Sequence, residues 1–309
     1  MSKADRHLIA QDFIGQGYPV SRVLKTVGIA SSSFYYVPKD NPKARGIRKS
    51  THTLTSDGKW VANATVVKQI ESLLEEEFVD YGYRKVPHWL RQNKGYIINE
   101  KKVYRLMSEH KLLIKRAKHR RGPRRWVQQL VPQPSEVLDY LEVDIKYIYV
   151  HGQKEYALLL TVIDVSSRWV LGQYLAWRIS KYEVRALFDQ IFAHYNLPDQ
   201  IYVRNDNGSQ FEARLIQDYF LARGATQEFT IPATPEQNAH IEAYHSIVES
   251  LICQKYEFVI IEEVQDTFNR WIRFYNFERL HSGIRYLSPS DFLATNGIDL
   301  EWNEDLAAT

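Results

Sequence analysis

A single cysteine, Cys253, excludes any internal disulfide framework and suits a reducing compartment. No apolar run approaches the ~20 residues needed to span a membrane, so no membrane partner is expected. The opening stretch MSKADRHLIAQDF has no signal-peptide core, and the expected location is therefore cytoplasmic. Internal repeats are lacking too, which removes the solenoid architectures. What the chain does have is charge of opposite sign in its two halves. Residues 1–135 hold 26 Lys and Arg against 11 Asp and Glu, and residues 136–309 hold 14 against 26. A basic front half gains affinity for phosphate backbones through counterion release. Carboxylates in the back half are where hard cations would be held.

Local patterns divide the chain further. Residues 1–37 read as helix, helix, a Gly28-Ile29 turn and a Ser-capped short helix, the outline of a helix-turn-helix unit. Residues 38–60 are polar, with Pro, Gly and Ser, and are expected to form a linker. A second helical DNA-binding unit is expected over 61–113, with Gly95 ending one helix and Asn99 capping the next. Residues 114–135 form a basic connector, whose KRAKHRRGPRR stretch has no apolar face and suits the DNA backbone. Candidate DNA contacts are Arg84, Lys85, Lys101, Lys102, Lys115, Arg116, Lys118, Arg120, Arg121, Arg124 and Arg125.

From 136 to 260 the pattern becomes three strands, helix, strand, helix, strand, helix. That order predicts an α/β, ribonuclease-H-like core with a mixed five-stranded sheet. Residues 261–309 are expected to add a helical extension. Asp144 falls inside the apolar run LEVDIKYIYV, and Asp206 follows another apolar strand just before the turn dipeptide Asn207-Gly208. A carboxylate past a strand's C-terminal end faces the crevice where open α/β sheets bind ligands. Glu242, His245 and Glu249 are spaced to line one helix face, and spacing does not choose between Glu242 and Glu249. Carboxylates converging from separate elements are what two divalent cations need to activate one oxygen and stabilise another.

Several motifs occur together in order. They are Pro19-Val20 through Ser31-Ser32-Ser33-Phe34-Tyr35-Tyr36, then Tyr81-Gly82-Tyr83-Arg84, Asp144, and Ile163-Asp164 with Ser167-Arg168. Asp206-Asn207-Gly208-Ser209-Gln210-Phe211, Glu242, and Tyr275-Asn276 with Arg279, His281 and Ser288-Pro289 complete the series. Over roughly 5–295 the chain resembles the OrfB catalytic subunit of insertion-sequence transposases of the IS-three type, in the DDE transposase and retroviral integrase superfamily.

The resemblance implies DNA strand cleavage and strand transfer at insertion-sequence ends. It assigns Asp144, Asp206 and Glu242 as catalytic metal ligands for two Mg²⁺ (or Mn²⁺) ions. It also implies double-stranded DNA as partner, both terminal inverted repeats and target, a homodimer or higher oligomer on that DNA, and a bacterial, nucleoid-associated setting. A small upstream helix-turn-helix subunit is the further partner that it allows. Three positions depart from the family pattern: Ile145-Lys146, Ala239 and Glu249. Two other classes stay open, a metal-dependent nuclease of the same fold and a DNA-binding accessory protein without catalysis.

Of the remaining residues, Asp164 is expected to pair with Arg168 or cap a turn. His245 is assigned a packing or supporting role, and Trp169, Trp177 and Trp271 are assigned to the core. Arg279 and His281 suit DNA contact and folding of the tail equally.

Overall fold

In a computed structural model, residues 2–36, 49–114, 134–231, 235–302 and 306 are described. They fall into two compact units, one ending at Thr51 and the other running from His52. The first unit contains α1 (Lys3–Gly15), α2 (Val20–Val27) and α3 (Ser31–Phe34). Ser2 and Asp5 form a capping box at the start of α1, and Gly28 ends α2 in the left-handed region at φ 71°. Ala10, Val23, Leu24 and Ile29 make its small core.

The second unit opens with a correction. The expected linker lies outside the described residues from 38 to 48, but its end folds. β1 (His52–Thr55) and β2 (Trp60–Ala62) pair as an antiparallel hairpin, and β3 (Tyr96–Ile97) adds to the other edge of β1. The polar composition hid these strands because they are short and their third member comes from forty residues further on. Helices α4 (Asn63–Glu75), α5 (Val86–Lys94) and α6 (Glu100–Glu109) follow, packed through Val66, Ile70, Leu90, Val103 and Met107. Gly95 closes α5 in the left-handed region at φ 63°, and the Asn99 side chain caps α6 by accepting from the Lys102 N–H. The basic connector lies outside the described residues from 115 to 133.

A five-stranded sheet follows, built from β4 (Tyr140–Val150), β5 (Glu155–Asp164), β6 (Val170–Ala176), β7 (Tyr202–Asn205) and β8 (Thr226–Phe229). Its order is β6-β5-β4-β7-β8, with β4, β5 and β6 antiparallel and β7 and β8 parallel to β4. This is the ribonuclease-H-like mixed sheet that the strand order predicted. One face packs on α7 (Lys181–His194) and α9 (Arg214–Ala222) through Leu141, Val143, Phe188 and Phe220. The second helix of the expected order is broken at Ala213, which separates α8 (Ser209–Glu212) from α9 with an extended ψ of 129°.

The other face packs on α10 (Ala239–Val248) and α11 (Ile261–Phe277), through Ile241, Tyr244, Trp271 and Tyr275. The third helix of the expected order is composite: a 3-10 turn at Pro235–Asn238, α10, then a π-helical stretch at Glu249–Cys253. α12 (Pro289–Thr295), capped by Ser288, closes the chain. Trp169 and Trp271 are fully buried and Trp177 packs on the core. No helix among the described residues is long and apolar enough to cross a membrane.

Candidate active site

The site grows from β4, the sheet's central strand. Leu141 and Val143 point to the α7 face, so alternation turns Glu142, Asp144 and Lys146 toward α10. Asp144 pairs in register with Thr161 of β5, and Thr161 with Gln173 of β6. Gln173 donates to the Thr161 hydroxyl at 3.1 Å and to the Tyr244 hydroxyl at 2.6 Å, and the Trp271 indole N–H donates to Tyr244 at 2.9 Å. A polar row thus runs across three strands beneath α10, ending at a carboxylate.

Asp144 accepts a hydrogen bond from the Ile145 N–H at 2.8 Å, and its other oxygen lies 3.4 Å from His245 Nδ1. His245 is buried, and its Nε2 has no partner among the described residues. Asp206 sits just past β7, where its carboxylate accepts from the Gly208 N–H at 2.9 Å. Burial raises the Asp206 carboxyl above its ordinary value, and the nearby charge of Asp144 adds to the rise. Glu242, on the first turn of α10, is raised by burial first and by the charge of Asp144 second.

Asp144 is therefore the hinge of the set, close enough to both other carboxylates for its charge to be felt at each. Among the described residues no three His, Cys, Asp or Glu side chains draw close enough to hold a metal ion by themselves. Mg²⁺ is usually held by one or two carboxylates together with waters and substrate phosphates rather than by an all-protein cage. The donors here are carboxylate oxygens, the ligand type hard dications prefer. Burial and mutual repulsion hold two of them above the usual carboxylate range, which a dication would relieve. The residues fit such an ion.

Glu249, the competing glutamate, turns elsewhere. Its carboxylate accepts from Lys146 at 2.7 Å. Two of the departures from the family pattern thus satisfy each other.

Sequence reasoning missed the residue that seats the helix. Glu142 is fully buried, and its carboxylate accepts from the backbone N–H groups of His240 at 3.0 Å and Ile241 at 2.8 Å. The His240 ring nitrogen Nδ1 lies 2.9 Å from its other oxygen. Asn238, at the N-cap position of α10, makes no side-chain cap. A strand glutamate therefore satisfies helix N–H groups that would otherwise be orphaned, and its charge suits the positive end of the helix dipole. Arg204 of β7 adds a second tether, donating to the Gln237 carbonyl at 2.9 Å and to Glu228 at 2.8 Å. The sequence signal was the placement of Glu142 on the face of Asp144, but nothing local showed a helix terminus arriving there.

Asp164 caps the β5–β6 turn. It accepts from Leu138 N–H at 3.1 Å, Ser167 N–H at 2.7 Å and the Ser167 hydroxyl at 2.5 Å. The Arg168 guanidinium donates instead to the Val165 carbonyl. Arg279 is buried against Asp80, and the His281 ring packs edge-on against Tyr275 at 4.7 Å, so both fold the tail. Among the expected DNA contacts, Arg84 and Lys101 are exposed. Lys102 turns its ammonium to the His52 carbonyl at 2.5 Å, and Lys85 lies 3.6 Å from Asp80. Lys115, Arg116, Lys118, Arg120, Arg121, Arg124 and Arg125 lie outside the described residues.

Comparison with known proteins agrees with this architecture. Residues 61–121 match the HTH-like domain family, and residues 134–235 and 223–289 match two integrase core domain families. The InsK protein of insertion sequence element IS150 from Escherichia coli is 27% identical over 90% of this chain and 94% of its own length. The transposase of insertion sequence element IS904 from Lactococcus lactis is 28% identical over 73% of this chain and 92% of its own.

The chain thus carries an HTH-like domain followed by an integrase core, and these relatives are named as insertion-sequence transposases. Such transposases act on DNA, and the family is one of polynucleotidyl transferases that use divalent metal ions. Among solved structures, the HTLV-2 integrase catalytic core domain in complex with magnesium aligns at 15% identity, covering 49% of this chain and 92% of that one, with a TM-score of 0.39. The BIV integrase catalytic core domain aligns at 17% identity over 52% of this chain and 97% of that one, again with a TM-score of 0.39.

Proposed function

We propose that this transposase cuts DNA at insertion-sequence ends and joins the resulting ends to target DNA, with Asp144, Asp206 and Glu242 as its catalytic carboxylates. The observation that carries the reading is convergence: Asp144 of β4, Asp206 past β7 and Glu242 of α10 lie close enough that the charge of Asp144 adds to the rise that burial produces in the other two carboxyls. Three separate elements deliver these groups, and an ordinary solvated face gives no reason for like charges to be gathered. Two Mg²⁺ or Mn²⁺ ions are the proposed complement, held by the three carboxylates. When bound, they supply Lewis-acid stabilisation to the attacking and leaving oxygens of an in-line phosphoryl transfer.

The protein's own part is positioning. Asp144 is set by the central strand and by the hydrogen bond from Ile145 N–H. Glu242 is set by α10, whose first turn is fixed to Glu142 and, through Gln237, to Arg204. His245 holds a ring nitrogen against Asp144, orienting that carboxylate from the helix side. The Lys146–Glu249 pair keeps a further negative charge away from the three carboxylates. The basic connector and the exposed Arg84 and Lys101 are proposed to track phosphate backbone, and the working assembly is a dimer or larger oligomer on paired ends.

The test uses purified protein, labelled duplex carrying a transposon end, Mg²⁺, and Asp206→Ala as the comparison. Cleavage and joining by the wild type alone would support the proposal. Cleavage without joining would favour a nuclease. Binding by both proteins, with neither altering the DNA even after an upstream helix-turn-helix subunit is added, would favour an accessory protein.

A further inference from the structure

The α4–α5 loop and α5 itself are fastened to the C-terminal extension at several points. Asp80 holds the Arg279 guanidinium with two bonds, at 2.8 and 3.1 Å. The buried Tyr81 hydroxyl donates to the Glu278 carbonyl at 3.0 Å and accepts from the Leu280 N–H at 2.9 Å. Gln92 donates to the Tyr286 carbonyl at 3.3 Å. Between the loop and the extension lies an open cavity of about 420 Å³, lined by Tyr83, Arg84, Lys85, Leu113, Ile114 and Tyr286 among others.

The lining combines two chemistries. Tyr286 stacks on His88 with ring centres 3.9 Å apart and planes 12° from parallel, and Tyr83 meets Tyr104 edge-on at 5.1 Å. Both rings are thus backed by another ring. Arg285 and Tyr286 are successive residues in the left-handed region, at φ 60° and 59°, where neither side chain is at ease. Strain of this kind persists where the surroundings over-determine it, and it concentrates at ligand sites. Arg84 is exposed at the rim, with its guanidinium 5.8 Å from the Tyr83 ring centre, and it makes no ion pair among the described residues. Lys85 stands beside it but shares Asp80 with Arg279.

We infer that this cavity binds one unpaired nucleotide of a DNA strand, its base against the Tyr286 and Tyr83 rings and its phosphate at Arg84. The volume suits a single nucleotide, whereas a duplex is far too wide to enter. Stacking on an aromatic face is tolerant of sequence, and a neighbouring cation takes the backbone. The inference rests on the DNA-joining reading, because strand cleavage at an element's end is what leaves unpaired nucleotides there.

The test is binding of the full chain, in chelator so that no strand is cut, to a blunt duplex and to the same duplex carrying a short thymidine tail. Fluorescence anisotropy gives the ratio of the two affinities. Wild type is expected to favour the tailed duplex by about tenfold, the scale of a base stack. Tyr286→Gly removes the ring while relieving the backbone, so it should melt no lower than wild type yet bring the ratio near one. Arg84→Ala should weaken both duplexes but the tailed one more. A wild-type ratio near one, or a ratio unchanged in Tyr286→Gly, overturns the inference and leaves the transposase reading standing. Absence of binding to either duplex overturns both.

Discussion

Arg279 and Asp80 are 199 residues apart and closed into a two-bonded pair, with only 2% of the arginine side chain exposed. Removing one partner of a buried pair strands the other charge at a cost of about 3–5 kcal/mol. Asp80→Ala is therefore expected to lower the urea midpoint substantially, while Arg279→Met, which strands no buried cation, should cost less. A loss below ~1 kcal/mol in Asp80→Ala would place the pair with screened surface bridges.

Glu142→Ala should uncover the His240 and Ile241 N–H groups, costing about 1–3 kcal/mol for the unmet donors. Hydrogen exchange at those two amides should quicken more than exchange in β4. Glu142→Gln keeps an acceptor oxygen and should fold well, yet it should need more Mg²⁺ for DNA cleavage because Glu242 is held less firmly. Unchanged exchange in the alanine variant would show that the helix start is secured by other contacts.

Asp206 and Glu242 both have carboxyls raised above their ordinary range, chiefly by burial. The folded chain then holds these protons more tightly than the unfolded chain does. Stability falls as pH climbs from the ordinary carboxylate range through the raised values, so at neutral pH both groups oppose folding. Asp206→Asn and Glu242→Gln should lose activity yet melt slightly higher at neutral pH in chelator, by about 1–2 °C given solvent screening. The gain should vanish in acid below the ordinary carboxylate range. Added Mg²⁺ should narrow it by stabilising the wild type. Lower melting of both variants would reverse the sign and contradict the account.

Asp164→Ala separates a structural carboxylate from the catalytic ones. It removes the acceptor for Leu138 and Ser167, and a loss of about 1–3 kcal/mol is expected. Activity per folded molecule should be retained, measured at a temperature where the variant remains folded. Abolished activity in a fully folded variant would move Asp164 into the reaction.

The core sheet was legible because β4, β5 and β6 carry long apolar runs and the strands and helices come in an order that few topologies accept. The carboxylates were legible for a related reason, since Asp144 interrupts one such run and Asp206 ends another. What escaped depends on partners distant in sequence. Glu142 reads as an ordinary solvent-facing residue until α10, 98 residues later, places its first turn on it. The β1–β2 hairpin reads as linker because β3 supplies its third strand. Spacing left Glu242 and Glu249 equal, and Lys146, 103 residues earlier, is what draws Glu249 aside.

Glu142 and Asp144 stand two residues apart on the same strand, one gripping the helix that bears Glu242 and the other facing it. Any drift of β4 therefore carries the strand carboxylate and the helix anchor together. The gap between Asp144 and Glu242 is insensitive to such common-mode motion, much as a differential pair rejects noise shared by its two lines. The strand that leads to Asp206 shares this coupling, since β7 pairs with β4 and its Arg204 holds the Gln237 carbonyl ahead of α10; only the turn beyond Asn205 lies outside it. Thermal motion should accordingly spread the site at the Asp206 turn first, and that is where a bound dication would do most to tighten it.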